Sequence, residues 1–116
     1  MDSESLRLRR TRYQELMADE LDRWVPILRA QGATLIVLFG SLARDQTGLL
    51  GDVDLLVVLP SQLSFVERTA ECYRLLAPKV DLDLIAYTPE EFERMRERPF
   101  VAQVLREGRV LHETAA

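Results

Sequence analysis

The sequence has 116 residues, of which 47% are hydrophobic and 29% charged, a composition typical of one soluble globular domain. Its 19 acidic and 15 basic residues give a net charge of −4, without the basic surplus usual in proteins that bind nucleic-acid backbones. No apolar run exceeds five residues, the length of Leu35 to Phe39, which is far too short to span a membrane. Cys72 is the only cysteine, which excludes an intrachain disulfide and favours a reducing compartment. We therefore expect a cytoplasmic protein that contacts neither membranes nor nucleic acids directly.

The first half of the chain alternates helical and strand patterns. Apolar residues every three or four positions predict a helix from about Ser5 to Ala30, with a kink or restart at Pro26. The continuous apolar run from Thr34 to Phe39 predicts a strand buried on both faces. A short helix from Ser41 to about Asp45 should follow, and residues Asp52 to Leu59 should form a second strand.

The second half continues this alternation. Ser64-Phe-Val-Glu67 is a capping box that should open a helix to about Ala77, and Val80 to Tyr87 alternates as a third strand. Thr88-Pro-Glu-Glu91 is a second capping box, for a helix to about Arg98. Pro99 should begin another helix that Gly108 ends, before a short edge strand over Arg109 to His112. The order predicts an α/β (α+β) domain, a small mixed sheet with flanking helices, over residues 1–116.

The dipeptide Gly40-Ser41 lies where a buried strand ends and a helix begins. Glycine lets the backbone approach a ligand closely, and free N–H groups at the start of a helix suit a phosphate. Ser41 adds a hydroxyl group, and Arg44 follows one turn later. Taken alone, this dipeptide is more typical of a plain turn.

Carboxylates stand on two of the predicted strands. Asp52 and Asp54 are two positions apart on one strand, so their side chains point to the same side. Two such charges are costly unless a cation lies between them, and oxygen ligands favour Mg²⁺. Asp81 and Asp83 share one face of the next strand, and either could supply a third carboxylate if the strands are neighbours. Convergent acids beside a phosphate-binding turn indicate metal-assisted phosphoryl chemistry.

The sequence contains Gly40-Ser41, then ten residues, then Asp52-Val53-Asp54. This pattern resembles the signature of the polymerase-β-like nucleotidyltransferase superfamily. More closely, the chain resembles the minimal nucleotidyltransferases that accompany HEPN-domain proteins in toxin–antitoxin operons. The resemblance implies a nucleotidyltransferase fold. Three residues depart from the family pattern, Leu42, Asp45 and Gly51, and Asp45 adds a negative charge near the phosphate turn.

The resemblance also implies roles for individual residues. Asp52, Asp54 and Asp83 would be the catalytic acids and the ligands of two Mg²⁺ ions. Asp83 is preferred over Asp81 because its distance to Thr88-Pro89 resembles the family spacing, although both share a face.

The remaining expectations concern the nucleotide and the partner. Gly40, Ser41 and Arg44 would bind ATP, the substrate whose AMP group is transferred. The implied acceptor is a HEPN-domain toxin, which would make this chain its antitoxin. The alternative is a non-catalytic antitoxin that neutralises its partner by occlusion.

Overall fold

The computed structural model describes residues 3–43 and 52–114. Its helices and strands are, in chain order, α1 Ser3–Ala30, β1 Leu35–Phe39, α2 Gly40–Ala43, β2 Val53–Val58, α3 Phe65–Leu76, β3 Leu82–Tyr87, α4 Pro89–Met95, α5 Pro99–Glu107 and β4 Arg109–Glu113. The predicted mixed sheet with flanking helices is confirmed. The predicted end of the short helix, at Asp45, lies outside the described residues.

Of the kink or restart predicted at Pro26, the restart does not occur, because α1 runs through this residue as a single helix. Proline in a helix interior costs about 3 kcal/mol. Trp24 and Leu28, on either side of it, are completely buried, and burying such side chains stabilises by about 1.5–3 kcal/mol each. Packing of the helix against the sheet therefore outweighs the local penalty.

The sheet has the strand order β3-β2-β1-β4. Strands β2 and β3 are parallel, whereas β1 pairs antiparallel with both β2 and β4. In this register Phe39 stands opposite Asp54, and Asp54 stands opposite Asp83. Because side chains alternate between the two faces of a sheet, these three residues form one row on the same face.

Helices cover both faces of the sheet. On one face, α1 and α3 contribute Trp24 and Cys72 to the larger core. On the other face, Val101 and Val104 of α5 pack against Val37 and other strand residues. Val37 and Phe39 are two positions apart on β1 and therefore share a face. The row of Phe39, Asp54 and Asp83 consequently lies on the α5 side of the sheet.

Arg68 ties α3 to the strand and helix that follow it. It is 3% exposed and donates hydrogen bonds to the carbonyl of Ala86 and the carboxylate of Glu91, both at 2.6 Å. Glu91 also accepts from the backbone N–H of Thr88, which completes the predicted capping box at the start of α4. This network fixes the connection between β3 and α4.

Glu20 anchors the other side of the molecule. Its carboxylate is buried, pairs with Arg23 and accepts a hydrogen bond of 3.0 Å from the backbone N–H of Lys79. Arg23 in turn donates to the carbonyl of Ala77. These contacts hold α1 against the connection between α3 and β3. Across the described ranges, no helix combines the length and apolar character that crossing a membrane requires.

Candidate active site

Asp54 and Asp83 occupy paired positions on the adjacent strands β2 and β3. Asp54 is half-buried and Asp83 is exposed. Burial raises the pKa of Asp54 to about 6, with smaller contributions from the charges of Asp83 and Asp52 and from a hydrogen bond with Asp83. The two carboxyl groups therefore repel each other when both are ionised, and a proton shared between them relieves this repulsion. A bound cation would relieve the same repulsion.

Asp52 lies directly before β2 and is exposed. Its charge contributes to the raised pKa of Asp54. It also acts, after burial and the charge of Asp81, on Tyr13 of α1, whose pKa is raised. Asp52 is thus within electrostatic reach of Asp54 at the same end of the strand.

The two alternatives on the third strand occupy different places. Asp81 precedes β3, and its backbone carbonyl accepts a hydrogen bond of 2.9 Å from Val53. Its charge acts on Tyr13. Asp83 is the residue that the parallel register brings beside Asp54. The geometry therefore groups Asp83 with Asp54 and leaves Asp81 near α1.

Gly40 lies against the Asp54 carboxylate. Its φ is +76°, and a Cβ atom added to it would stand 2.1 Å from Asp54 Oδ2. A side chain is therefore excluded both by the left-handed backbone and by the neighbouring oxygen. The sequence suggested that the backbone at Gly40 can approach a ligand closely. In the structure this backbone lies close to the Asp54 carboxylate. The backbone of Ser41 continues into α2, whereas its side chain and Arg44 lie outside the described residues.

The donor set suits a hard divalent cation. Within residues 3–43 and 52–114, no three histidine, cysteine, aspartate or glutamate side chains already form a metal-binding cluster. Asp54 and Asp83 nevertheless place carboxylate oxygens on neighbouring strands, and oxygen ligands are those Mg²⁺ prefers. Burial first, and then the charges of Asp83 and Asp52, raise the pKa of Asp54, and a bound cation would stabilise its charged form. These residues fit Mg²⁺, with Asp52 beside them.

Two aromatic residues near these acids were missed in the sequence analysis. The rings of Phe39 and Phe100 meet edge to face, with centroids 5.8 Å apart and an interplanar angle of 83°. Strand alternation alone could have placed Phe39 on the face of Asp54, but the position of Phe100 depends on a long-range contact. Tyr87, the aromatic residue noted on the third strand, instead packs beside Phe65 at the opposite end of β3.

Comparison with known proteins identifies the family. The family described as the nucleotidyltransferase domain matches residues 21–112, a range that includes Gly40 and all of the acids discussed above. This chain belongs to the nucleotidyltransferase domain family. Among proteins of curated function, none matches the sequence.

Solved structures extend this finding. A toxin–antitoxin structure with AMP-PNP is 27% identical, with a TM-score of 0.56, covering 78% of this chain and 70% of that chain. A structure described as a minimal nucleotidyltransferase is also 27% identical, with a TM-score of 0.52 and coverage of 94% and 95%. A nucleotidyltransferase structure from Sulfolobus solfataricus, 17% identical with a TM-score of 0.56 and coverage of 94% and 87%, shares the fold. The resemblance of this nucleotidyltransferase domain to the minimal nucleotidyltransferases is confirmed.

Proposed function

We propose that this nucleotidyltransferase domain transfers AMP from ATP to a hydroxyl group of a partner protein, as the antitoxin of a toxin–antitoxin pair. The observation that carries the proposal is the register of Asp54 beside Asp83, with the α-carbon of Gly40 against the Asp54 carboxylate. This arrangement puts two carboxylates, which we assign as metal ligands, next to the turn whose family counterpart binds phosphates.

Each acid has a separate part in the proposal. Asp52, Asp54 and Asp83 would hold two Mg²⁺ ions, which when bound would neutralise the pyrophosphate leaving group and lower the pKa of the attacking hydroxyl. Gly40 keeps the phosphate turn close to Asp54, and Ser41 with Arg44 would contact the β- and γ-phosphates. Asp83 is exposed and can accept the proton of the incoming hydroxyl.

The transfer is a displacement at the α-phosphorus of ATP. The acceptor oxygen forms a bond to this phosphorus, and the bond from the phosphorus to the oxygen bridging towards the β-phosphate breaks. Pyrophosphate leaves with that oxygen, and the acceptor proton passes to Asp83. The products are an AMP ester of the acceptor and pyrophosphate.

The partner is proposed from two supports. One structure that is 27% identical to this chain is a toxin–antitoxin. The family resemblance adds that such a toxin carries a HEPN domain, with tyrosine as the expected acceptor. In this proposal residues 1–116 form one minimal nucleotidyltransferase domain, and the acceptor hydroxyl lies on the toxin. The net charge of −4 is compatible with docking on a basic RNA-cleaving surface.

Co-expression with the toxin encoded beside it tests the proposal. Intact-mass measurement should show the toxin heavier by one or more AMP groups with the wild type, and unmodified with Asp54→Asn. Asp81→Asn is the matched control, because Asp81 lies outside the pair formed by Asp54 and Asp83. If the toxin stays unmodified while Asp52→Asn and Asp54→Asn still neutralise it, neutralisation by occlusion replaces the enzymatic proposal.

A further inference from the structure

A cavity of about 210 Å³ opens between the end of β1 and α5. Its lining residues are Phe39, Gly40, Phe100, Gln103, Val104 and Glu107. Phe100 is 52% exposed, although its ring and the Phe39 ring meet edge to face. The cavity therefore offers an aromatic surface that the fold itself leaves partly uncovered.

This cavity adjoins the candidate active site. Phe39 stands opposite Asp54 in the antiparallel pair of β1 and β2, and the α-carbons of such opposed residues are about 4.5–5.5 Å apart. Gly40 belongs to both places, since it lines the cavity and lies against Asp54 Oδ2. Consider a nucleotide with its phosphates near Gly40 and its α-phosphorus at the acids. The rest of that nucleotide could reach the cavity.

The cavity lining indicates which part of a nucleotide would fit. Gln103 Nε2 donates a hydrogen bond of 3.1 Å to Glu107 Oε2. The carbonyl oxygen of Gln103 and the carboxylate of Glu107 are acceptors, suited to a ligand group that donates hydrogen bonds. These oxygens cannot donate a hydrogen bond to a phosphate, and the Phe100 ring suits a planar partner. An aromatic base with an exocyclic amino group has both of the required properties.

We infer that this cavity holds the base of the nucleotide donor, stacked on Phe100, with its exocyclic amino group donating to Gln103 or Glu107. The inference rests on the proposed function and adds to it the base subsite and the residues that select the base. Adenine, cytosine and guanine each carry an exocyclic amino group that meets this requirement, whereas uracil has none. The chain should consequently bind ATP more tightly than UTP.

Calorimetric titration of the full chain with Mg²⁺ and either ATP or inorganic tripolyphosphate tests the inference. Stacking of a base on an aromatic residue is worth about 1–3 kcal/mol, so Phe100→Ala should weaken ATP binding about fivefold or more. Binding of tripolyphosphate, which has no base, should be unchanged. Phe100→Tyr keeps the ring and should keep the ATP affinity.

Phe65→Ala is the matched control. Phe65 is 44% exposed and contacts Tyr87, four residues along β3 from Asp83. This substitution removes the same side chain from a similarly exposed position, and it should leave ATP binding unchanged. Thermal unfolding of each variant establishes that the fold is retained.

Glu107→Ala provides a second test that does not depend on the ring. It should reduce the preference for ATP over UTP, and an unchanged ratio contradicts the assigned contact. An unchanged ATP affinity in Phe100→Ala, or an equal loss for ATP and tripolyphosphate, overturns the stacking assignment. If the wild type binds tripolyphosphate as tightly as ATP, the base subsite is wrong and the proposed function survives. If it binds neither, both fail.

Discussion

The α-carbon of Gly40 lies so close to the Asp54 carboxylate that a Cβ atom at this position would stand 2.1 Å from Oδ2. The glycine of the family signature thus contacts the second acid of the same signature directly. Between these two positions the chain leaves β1, forms α2 and returns in β2. The motif therefore joins two positions that are separated in the sequence and in contact in the fold.

Gly40→Ala should abolish nucleotide binding and lower the stability of the fold. The new methyl group would collide with Asp54, and the left-handed backbone costs an additional 1 kcal/mol or so. Gly32→Ala is the control, because Gly32 also has a positive φ but its added Cβ would meet Pro60 instead of the acids. We expect Gly32→Ala to lower the melting temperature and still bind ATP. Equal nucleotide affinity in the two variants would count against the role assigned to Gly40.

Asp54→Asn should raise the stability of the metal-free protein at neutral pH. The pKa of Asp54 is raised from 3.8 to about 6, so the folded state holds this proton more tightly than the unfolded state. Stability is therefore lost as the pH rises from about 4 to above 6, and the asparagine variant should lack this loss. Urea unfolding in a chelator between pH 4 and pH 8 measures the difference. If Asp54→Asn unfolds far more easily at pH 7, Asp54 has a structural role instead.

Mg²⁺ with ATP should raise the melting temperature of the wild type. A ligand at 100 times its dissociation constant stabilises the folded state by about 2.7 kcal/mol. The shift should disappear in Asp54→Asn, and it should weaken below about pH 6, where Asp54 becomes protonated. Thermal scans at several nucleotide concentrations provide the measurement. A wild type that shows no shift with any nucleotide would have no competent site.

Glu91→Gln should destabilise the fold by about 1–3 kcal/mol, because it leaves the buried Arg68 without its carboxylate. The hydrogen bond from Arg68 lowers the pKa of Glu91. This stabilisation is therefore present above the ordinary pKa of glutamate and is lost as the pH falls through the lowered value. Glu93→Gln breaks only the exposed pair with Arg96 and should change stability by less than about 1 kcal/mol. Urea unfolding at pH 7 and at pH 3 compares the stability of the Glu91→Gln and Glu93→Gln variants. Equal effects of the two variants would contradict the importance of Arg68.

Local sequence signals predicted most of the helices and strands, because these signals act between residues that are close in the sequence. The capping box at Thr88, with Pro89 at the first helical position, marked the start of α4, and it is present in the structure. The helix does not restart at Pro26, because burial of Trp24 and Leu28 is a tertiary effect that overrides a local penalty. Local rules are thus reliable where no distant contact competes with them.

The candidate site was only partly accessible from sequence. Strand alternation predicted that Asp81 and Asp83 share a face, but Asp81 precedes β3, and only the β2–β3 register shows that Asp83 lies beside Asp54. Phe100 meets Phe39 through the packing of α5 on β1, a contact that no local pattern encodes. Arg44, Asp45 and Gly51 lie outside the described residues, so their roles stay predictions from the family pattern.

Transfer from ATP labelled at either the α- or the γ-phosphate tests the central claim most directly. With purified toxin and Mg²⁺, the α-label should enter the toxin and the γ-label should not. Incorporation should be lost in Asp54→Asn and Asp83→Asn and kept in Asp81→Asn, because only the first two acids share the row beside Gly40. Incorporation of the γ-label, or incorporation of the α-label that persists without Asp54 and Asp83, would contradict this account.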